Sequence, residues 1–302
     1  MKRTILPTKL SVLIAMLALV PSFCTAAPAA PQVTPYVDCQ GLICLPGTID
    51  NKVLGSVLLD TGNVQSVILG PKTDELKLPK GPYVSPSGQI YPNIIATEIL
   101  NLDVAGSLFP TQFMVLSPAQ LGPKSTPFVA TLAFPAFKGK TLEIDYRQKT
   151  VRVFPGGKLR QDAKAATLSL VPFGDSGPAI LVVDGLSLNG HRFRAQIDTA
   201  FTGTILFYNE SLDALGLRAA NAAAQGRDES FPFTDGGVSL KRGTVGPILF
   251  SGAAFLDANA ASYFATPSVQ SPGGHFEATL GNAAFKGHKL ILDLDAMKAR
   301  VE

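Results

Sequence analysis

Apolar residues in this chain come in short runs of Val, Ile, Leu, Phe and Thr, broken by Gly, Pro, Asn or Asp, and seldom at helical spacing. That pattern predicts strands. Val57-Leu58-Leu59 runs into Asp60-Thr61-Gly62, and apolar residues resume at Val67-Ile68-Leu69. The second half repeats the arrangement: Ala195-Gln196-Ile197 runs into Asp198-Thr199-Ala200, then Thr204-Ile205-Leu206-Phe207. Each run sets a carboxylate where a strand ends in a tight turn. Thr48 to Leu54 reads as a hairpin turning at Asp50-Asn51, and Gly81 to Pro92, with Tyr83 and Tyr91, as a long exposed hairpin or loop. Ile94–Leu102, Leu108–Leu116 and Thr141–Phe154 are further strand candidates. A second set of strands runs from Leu168 to Val301. The best short helix is Ser211–Leu217, with Ser211 as cap and Gly216 as terminator.

The chain is internally repeated. Residues 130–145 (ATLAFPAFKGKTLEID) align without a gap on residues 278–293 (ATLGNAAFKGHKLILD), with more than half of the positions identical. Counting back from the two aspartates, Asn51 falls opposite Asn189, each at a hairpin turn. The chain is thus a duplicated β unit. Pro155-Gly156-Gly157 opens a polar stretch to Ala166 that reads as a linker. Residues 1–27 are expected to be a signal peptide, 28–154 the first lobe, 155–166 the linker and 167–302 the second lobe.

Composition refines this picture. With 302 residues, 46% hydrophobic and 16% charged, the chain can build real cores, and 28 Gly and 23 Pro suit a turn-rich β protein. A net charge of +3, without a basic run interleaved with aromatics, argues against nucleic acid. Lys2 and Arg3 precede an apolar run, Leu10–Val20, shorter than the roughly 20 residues a span needs. The small residues Cys24-Thr25-Ala26-Ala27 follow it. A cleavable signal peptide fits best, giving a periplasmic or secreted protein without a membrane span in its mature form. Lipidation at Cys24 is the alternative. In an oxidising compartment Cys39 and Cys44 read as a disulfide pair. Metal binding and two separate thiols are the rival readings. The three His (His191, His275, His288) are scattered, so no metal and no cofactor is expected.

Related units generally pack about a pseudo-twofold axis, where equivalent residues meet. If Asp60 and Asp198 lie on it, the two carboxyls share one proton, and the pair can activate a water for amide hydrolysis. Gly174-Asp175-Ser176-Gly177-Pro178 looks like a serine-nucleophile motif, but no His precedes Ser176 to act as its base in that order, so it reads as a turn. There is no P-loop, dinucleotide fingerprint or His-Glu-x-x-His.

Apolar-apolar-Asp-Thr-Gly, its echo at Asp198 and the later Leu280-Gly281 resemble the aspartic proteases of the pepsin and retropepsin type. The short halves are most similar to retropepsin units, and Phe201-Thr202-Gly203 to bacterial members. The resemblance covers nearly the whole mature chain. It implies an all-β fold of two pseudo-twofold-related retropepsin-like β-barrel lobes in one chain, a pepsin-like bilobal architecture. It implies a peptide or protein substrate and, with both Asp loops on one chain, a monomer. Asp60 and Asp198 would form the catalytic dyad. Thr61 and Thr199 would lock the loops, with Gly62 and Ala200 beside them, and Ser66 and Thr204 would supply hydroxyls to the carboxylates. Tyr83 and Tyr91 are flap candidates by position alone. Ala200 and Ala133 stand where the family has Gly. A non-catalytic bilobal binding protein of the same fold is the alternative.

Overall fold

The hairpin signals, the repeat and the Asp-bearing strands define the frame. A computed structural model describes residues 32–85, 88–121, 126–172, 179–229, 238–266, 271 and 276–302. The expected signal peptide with Cys24, the Gly174–Pro178 motif and His275 lie outside the described residues.

In the first half, strand Leu42–Ile49 turns at Asp50 and Asn51, both at positive φ (48° and 63°), into strand Lys52–Asp60. Asn and Asp tolerate this left-handed turn, which matches the twist of a two-residue hairpin. Lys52–Asp60 then runs parallel to Ala130–Ala133, with Asp60 opposite Ala133. Val67–Leu69, Ser107–Leu116, Ile90–Val104 and Lys80–Val84 continue the sheet, and Leu42–Ile49 also pairs with Ile90–Val104, curling it round a core that includes Leu59, Phe109, Phe113 and Leu132.

The second half repeats this order. Ala179–Leu188 turns at Asn189 (φ 50°) into His191–Asp198, which runs parallel to Ala278–Gly281 with Asp198 opposite Gly281. Ile205–Phe207 lies against that strand as Val67–Leu69 does against its counterpart.

The aligned repeats meet face to face. Strands Lys140–Asp145 and Lys289–Asp293 pair antiparallel, with Glu143 opposite Ile291. These two positions are equivalent in the repeat, so the pseudo-twofold axis passes between them. Glu143 is buried there and neutralised by Lys158 at 2.5 Å. The closing aspartates are turn formers: Asp145 Oδ1 accepts the N–H groups of Arg147 and Gln148, and Asp293 Oδ1 those of Asp295 and Ala296.

Three details differ from the sequence reading. Thr141–Phe154 is two strands, Lys140–Asp145 and Thr150–Pro155, because the Asp145 side chain nucleates a turn that ends in Lys149 at φ 52°. Ser211–Leu217 is not a helix. A 3-10 turn spans Asn209–Ser211, Gly216 at φ 65° breaks the chain after one more turn, and the α-helix lies at Arg218–Ala223. Leu212, Leu215 and Leu217 are all buried, so packing rather than helix propensity sets that path. A helix at Gly70–Leu76 was not legible in the pattern. It carries Pro71 in its first turn, buries Thr73 and Leu76, and ends on Lys77 at φ 53°.

Candidate active site

Both aspartates emerge from the ends of strands whose parallel neighbours fix their direction, and both loops turn toward the pseudo-twofold axis. Asp60, Thr61 and Thr199 are buried. The threonines bind the loops reciprocally. Thr61 Oγ1 donates to the Ile197 carbonyl (2.9 Å) and Thr199 Oγ1 to the Leu59 carbonyl (2.6 Å). In return Thr61 N–H donates to Thr199 Oγ1 (3.0 Å) and Thr199 N–H to Thr61 Oγ1 (3.1 Å). Each hydroxyl therefore donates once and accepts at least once, which leaves no unpaired polar atom at the crossing.

Gly62 lies directly on the Asp198 carboxyl: a methyl there would stand 2.2 Å from Asp198 Cγ. Its φ is not in the left-handed region, so close approach, not backbone freedom, requires glycine. At the equivalent position Ala200 does not take a positive φ, and its methyl packs against Cys39, Leu42, Cys44, Leu58 and Phe128. Likewise Ala133 fits in the first half, whereas a methyl at Gly281 would stand 2.4 Å from the carbonyl oxygens of Phe201 and Gly203. Cys39 and Cys44 form a disulfide with Cα atoms 5.9 Å apart, closing the hairpin beneath Ala200.

The hydrogen bonds on the carboxylates come from unexpected residues. Ser66 Oγ accepts the Ala133 N–H (3.0 Å), and Thr204 offers its carbonyl to Gly281 N–H (2.9 Å). Asp60 is held instead by the Asn63 side chain and by the N–H groups of Asn63 and Gly62. Asn63 Oδ1 already accepts from Val64 and Gln65 N–H, which leaves its Nδ2 to donate. Asp198 Oδ1 accepts Ala200 N–H at 2.8 Å, and Phe201 N–H, which donates to the Asp198 backbone carbonyl at 3.2 Å, also favours the ionised carboxyl. The offset that brings Asn63 to Asp60 brings Phe201, with no side-chain donor, to Asp198.

Burial raises both carboxyls above the ordinary 3.8. Asp60, whose second cause is the charge of Asp198, is pushed up to about 8, and Asp198 to about 6. The N–H and Asn63 bonds oppose the rise without cancelling it. Two carboxyls in one electrostatic neighbourhood titrate as a pair and hold a proton between them near neutral pH. Among the described residues no group of three or more His, Cys, Asp or Glu could hold a metal ion.

No protein-family model matches the chain, and no curated protein matches its sequence. Solved structures do match. An aspartic proteinase from Irpex lacteus superimposes with a TM-score of 0.53 at 10% identity, covering 90% of this chain and 97% of that one. The basic 7S globulin from soybean superimposes with a TM-score of 0.50 at 10% identity, covering 91% and 95%. This chain has the pepsin-like fold.

On this pepsin-like fold a cavity of about 490 Å³ opens beside the Asp60 loop, lined by Val64, Gln65, Tyr83, Ile99, Gln112 and Ala133 among others, none of them charged. Hairpin Lys80–Val84/Ile90–Val104 covers it. Tyr83 and Tyr91 face each other across that hairpin with ring centroids 5.8 Å apart, but they differ in place. Tyr83 lines the cavity and donates to Gln65 Oε1 (3.0 Å), whereas Tyr91 donates to Gln89 (3.0 Å) on the exposed side.

The sequence reading missed Asn63, Gln196 and Asn282. Gln196 was visible as a polar residue inside an otherwise apolar strand. Asn282 was visible as the position where the repeat exchanges Phe134 for an amide.

Proposed function

We propose that this protein is an exported aspartic endopeptidase whose general acid–base pair is Asp60 and Asp198. The observation that carries the reading is the pair of carboxyls, Asp60 buried and Asp198 half-buried, whose loops are cross-bonded by Thr61 and Thr199. In the working state one carboxyl is ionised and the other protonated. The carboxylate takes a proton from a bound water, the hydroxide adds to the peptide carbonyl carbon, and the protonated partner gives its proton to the carbonyl oxygen. Collapse of the diol breaks the C–N bond: the proton held by the first carboxyl goes to the leaving nitrogen, and one diol hydroxyl returns its proton to the second carboxylate, which restores the singly protonated pair. Ala200 does not oppose this: its backbone N–H still holds Asp198, and its methyl points into an apolar cluster.

The substrate is an extended peptide lying between residues 28–154 and 167–302, the two lobes. The uncharged cavity beside Asp60 favours an uncharged side chain next to the cleaved bond. One chain supplies both aspartates, so a monomer suffices. The Cys39–Cys44 disulfide supports an oxidising compartment, periplasmic or extracellular, reached through the export sequence at 1–27. Among the described residues no helix is long and apolar enough to cross a membrane.

A second reading, a non-catalytic binding protein, is favoured by Phe201 standing where no side-chain donor reaches Asp198, and by a globulin sharing the fold. Cleavage of a diverse peptide library from about pH 3 to about pH 9 separates the two. Loss of cleavage in both Asp60→Asn and Asp198→Asn supports the protease. No cleavage by folded protein at any pH supports the binding protein.

A further inference from the structure

Behind the two aspartate loops sit two buried carboxamides, each holding a peptide unit rather than a carboxylate. Asn282 opens the 3-10 turn Asn282–Phe285. Its Nδ2 donates to the Thr199 carbonyl (2.5 Å) and to the Gly41 carbonyl in the disulfide-closed hairpin (3.1 Å). Its Oδ1 accepts the Tyr146 hydroxyl (2.8 Å). Gln196 lies in the strand that ends at Asp198. Its Nε2 donates to the Gly62 carbonyl (2.8 Å), and its Oε1 accepts from Thr279 (3.4 Å), whose hydroxyl bonds Tyr208 (2.9 Å).

A trans peptide unit is planar, with its C=O and N–H pointing in opposite directions. The Thr199 carbonyl therefore shares one plane with the Ala200 N–H, which donates to Asp198 Oδ1 at 2.8 Å. The Gly62 carbonyl shares a plane with the Asn63 N–H, which favours the ionised Asp60 carboxyl. Holding the oxygen end fixes the direction of the N–H end. A hydrogen bond accepted at the oxygen also polarises the unit and strengthens the bond donated at nitrogen.

We infer that Asn282 and Gln196 are positioning residues for the two carboxylates, each fixing and polarising the peptide unit whose N–H binds one of them. Asn282 serves Asp198 and Gln196 serves Asp60. Both relays cross between the halves of the chain: Gln196 reaches from the second half to the Asp60 loop, and Asn282 takes Tyr146 and Gly41 from the first. Neither is a repeat feature, because Phe134 and Leu58 occupy the equivalent positions and carry no amide. The groups behind the amides stay protonated and able to donate: burial holds the Tyr146 phenol well above its usual value and pushes Tyr208 up to about 12. The charge of Asp198 also contributes to raising Tyr208.

The effect on rate rests on the proteolytic reading; the effect on the carboxyls does not. Asn282→Leu and Gln196→Met keep approximate volume and remove the amide. Aspartate carboxyl carbons are labelled with carbon-13 and titrated by NMR in the whole mature protein, with assignment from Asp60→Asn and Asp198→Asn. Peptide hydrolysis is measured in parallel. Each variant is expected to move the dyad titration to higher pH, and to lower kcat about tenfold or more with KM changed less than about threefold. Tyr146→Phe and Thr279→Val, which remove only the hydroxyl behind each amide, are expected to move it the same way by less, and they carry the test if the first variants do not fold. A folded variant whose titration coincides with the parent overturns the inference, whatever its rate. A shifted titration in a protein that cleaves no peptide upholds the inference and overturns the proteolytic reading.

Discussion

Thr61 and Thr199 each donate a hydroxyl proton to the carbonyl that immediately precedes the other's aspartate, at Ile197 (2.9 Å) and Leu59 (2.6 Å). The two strand ends are thereby fastened to each other as well as each to its own half. Thr61→Val or Thr199→Val keeps the shape and leaves a buried carbonyl and a buried N–H without their partner. Each is expected to cost about 1–3 kcal/mol, read as a lower denaturant midpoint. Because both bonds belong to one crossing, the double variant should lose less than the sum of the singles; strict additivity would contradict the shared crossing.

Gly62 and Ala200 occupy equivalent positions but tolerate substitution differently. Gly62→Ala drives a methyl to within 2.2 Å of Asp198 Cγ. It is expected to destabilise the fold by about 1–3 kcal/mol and to abolish hydrolysis by displacing that carboxyl. Ala200→Gly removes a methyl from the cluster at Cys39, Leu42 and Leu58 and should leave activity within about threefold of the parent. Equal losses in the two variants, measured by melting and by kcat, would refute this asymmetry.

Burial raises both carboxyls, Asp60 to about 8 and Asp198 to about 6, so the singly protonated pair is populated between those values. The kcat/KM profile is expected to be a bell centred near neutral pH, falling below about 6 and above about 8. Asn63→Ala removes the side-chain bond that favours the ionised Asp60, so the upper limb should move to higher pH. A profile that peaks in strong acid would contradict this arrangement.

The same shifts link stability to pH. A carboxyl that holds its proton more tightly when folded contributes stability fully below the ordinary value of 3.8. That contribution is lost as pH rises through about 6 and about 8, where the folded pair is forced to ionise. Asp60→Asn cannot ionise, so it should melt above the parent at about pH 8 and close to it at about pH 4. Calorimetry across that range checks the sign.

Much of this arrangement was legible before the chain was folded. The turns at Asp50-Asn51 and Asn189 are local chemistry: short polar side chains that accept a left-handed backbone. The repeat and the two strand-to-turn aspartates required only that equivalent sequences fold alike. Ser66 and Thr204 were expected to offer hydroxyls to the carboxylates, whereas the bonds found at them run from Ala133 N–H to Ser66 Oγ and from Gly281 N–H to the Thr204 carbonyl, since position along the chain does not say where a side chain points once the loop has turned. Asn63, three residues beyond Asp60, favours the ionised carboxyl, whereas Ser66 Oγ accepts the Ala133 N–H.

The sequence by itself determined that this is a duplicated β chain with an aspartate at the end of an equivalent strand in each half, since strand alternation, turn residues and repetition are properties of neighbouring residues. Only the tertiary structure decided which groups meet at the axis. Gln196 on Gly62, Asn282 on Thr199 and the asymmetry between Gly62 and Ala200 depend on the orientation of single peptide planes brought together from distant parts of the chain. That orientation is set by how the two halves pair through Lys140–Asp145 and Lys289–Asp293, and a linear pattern carries no trace of it.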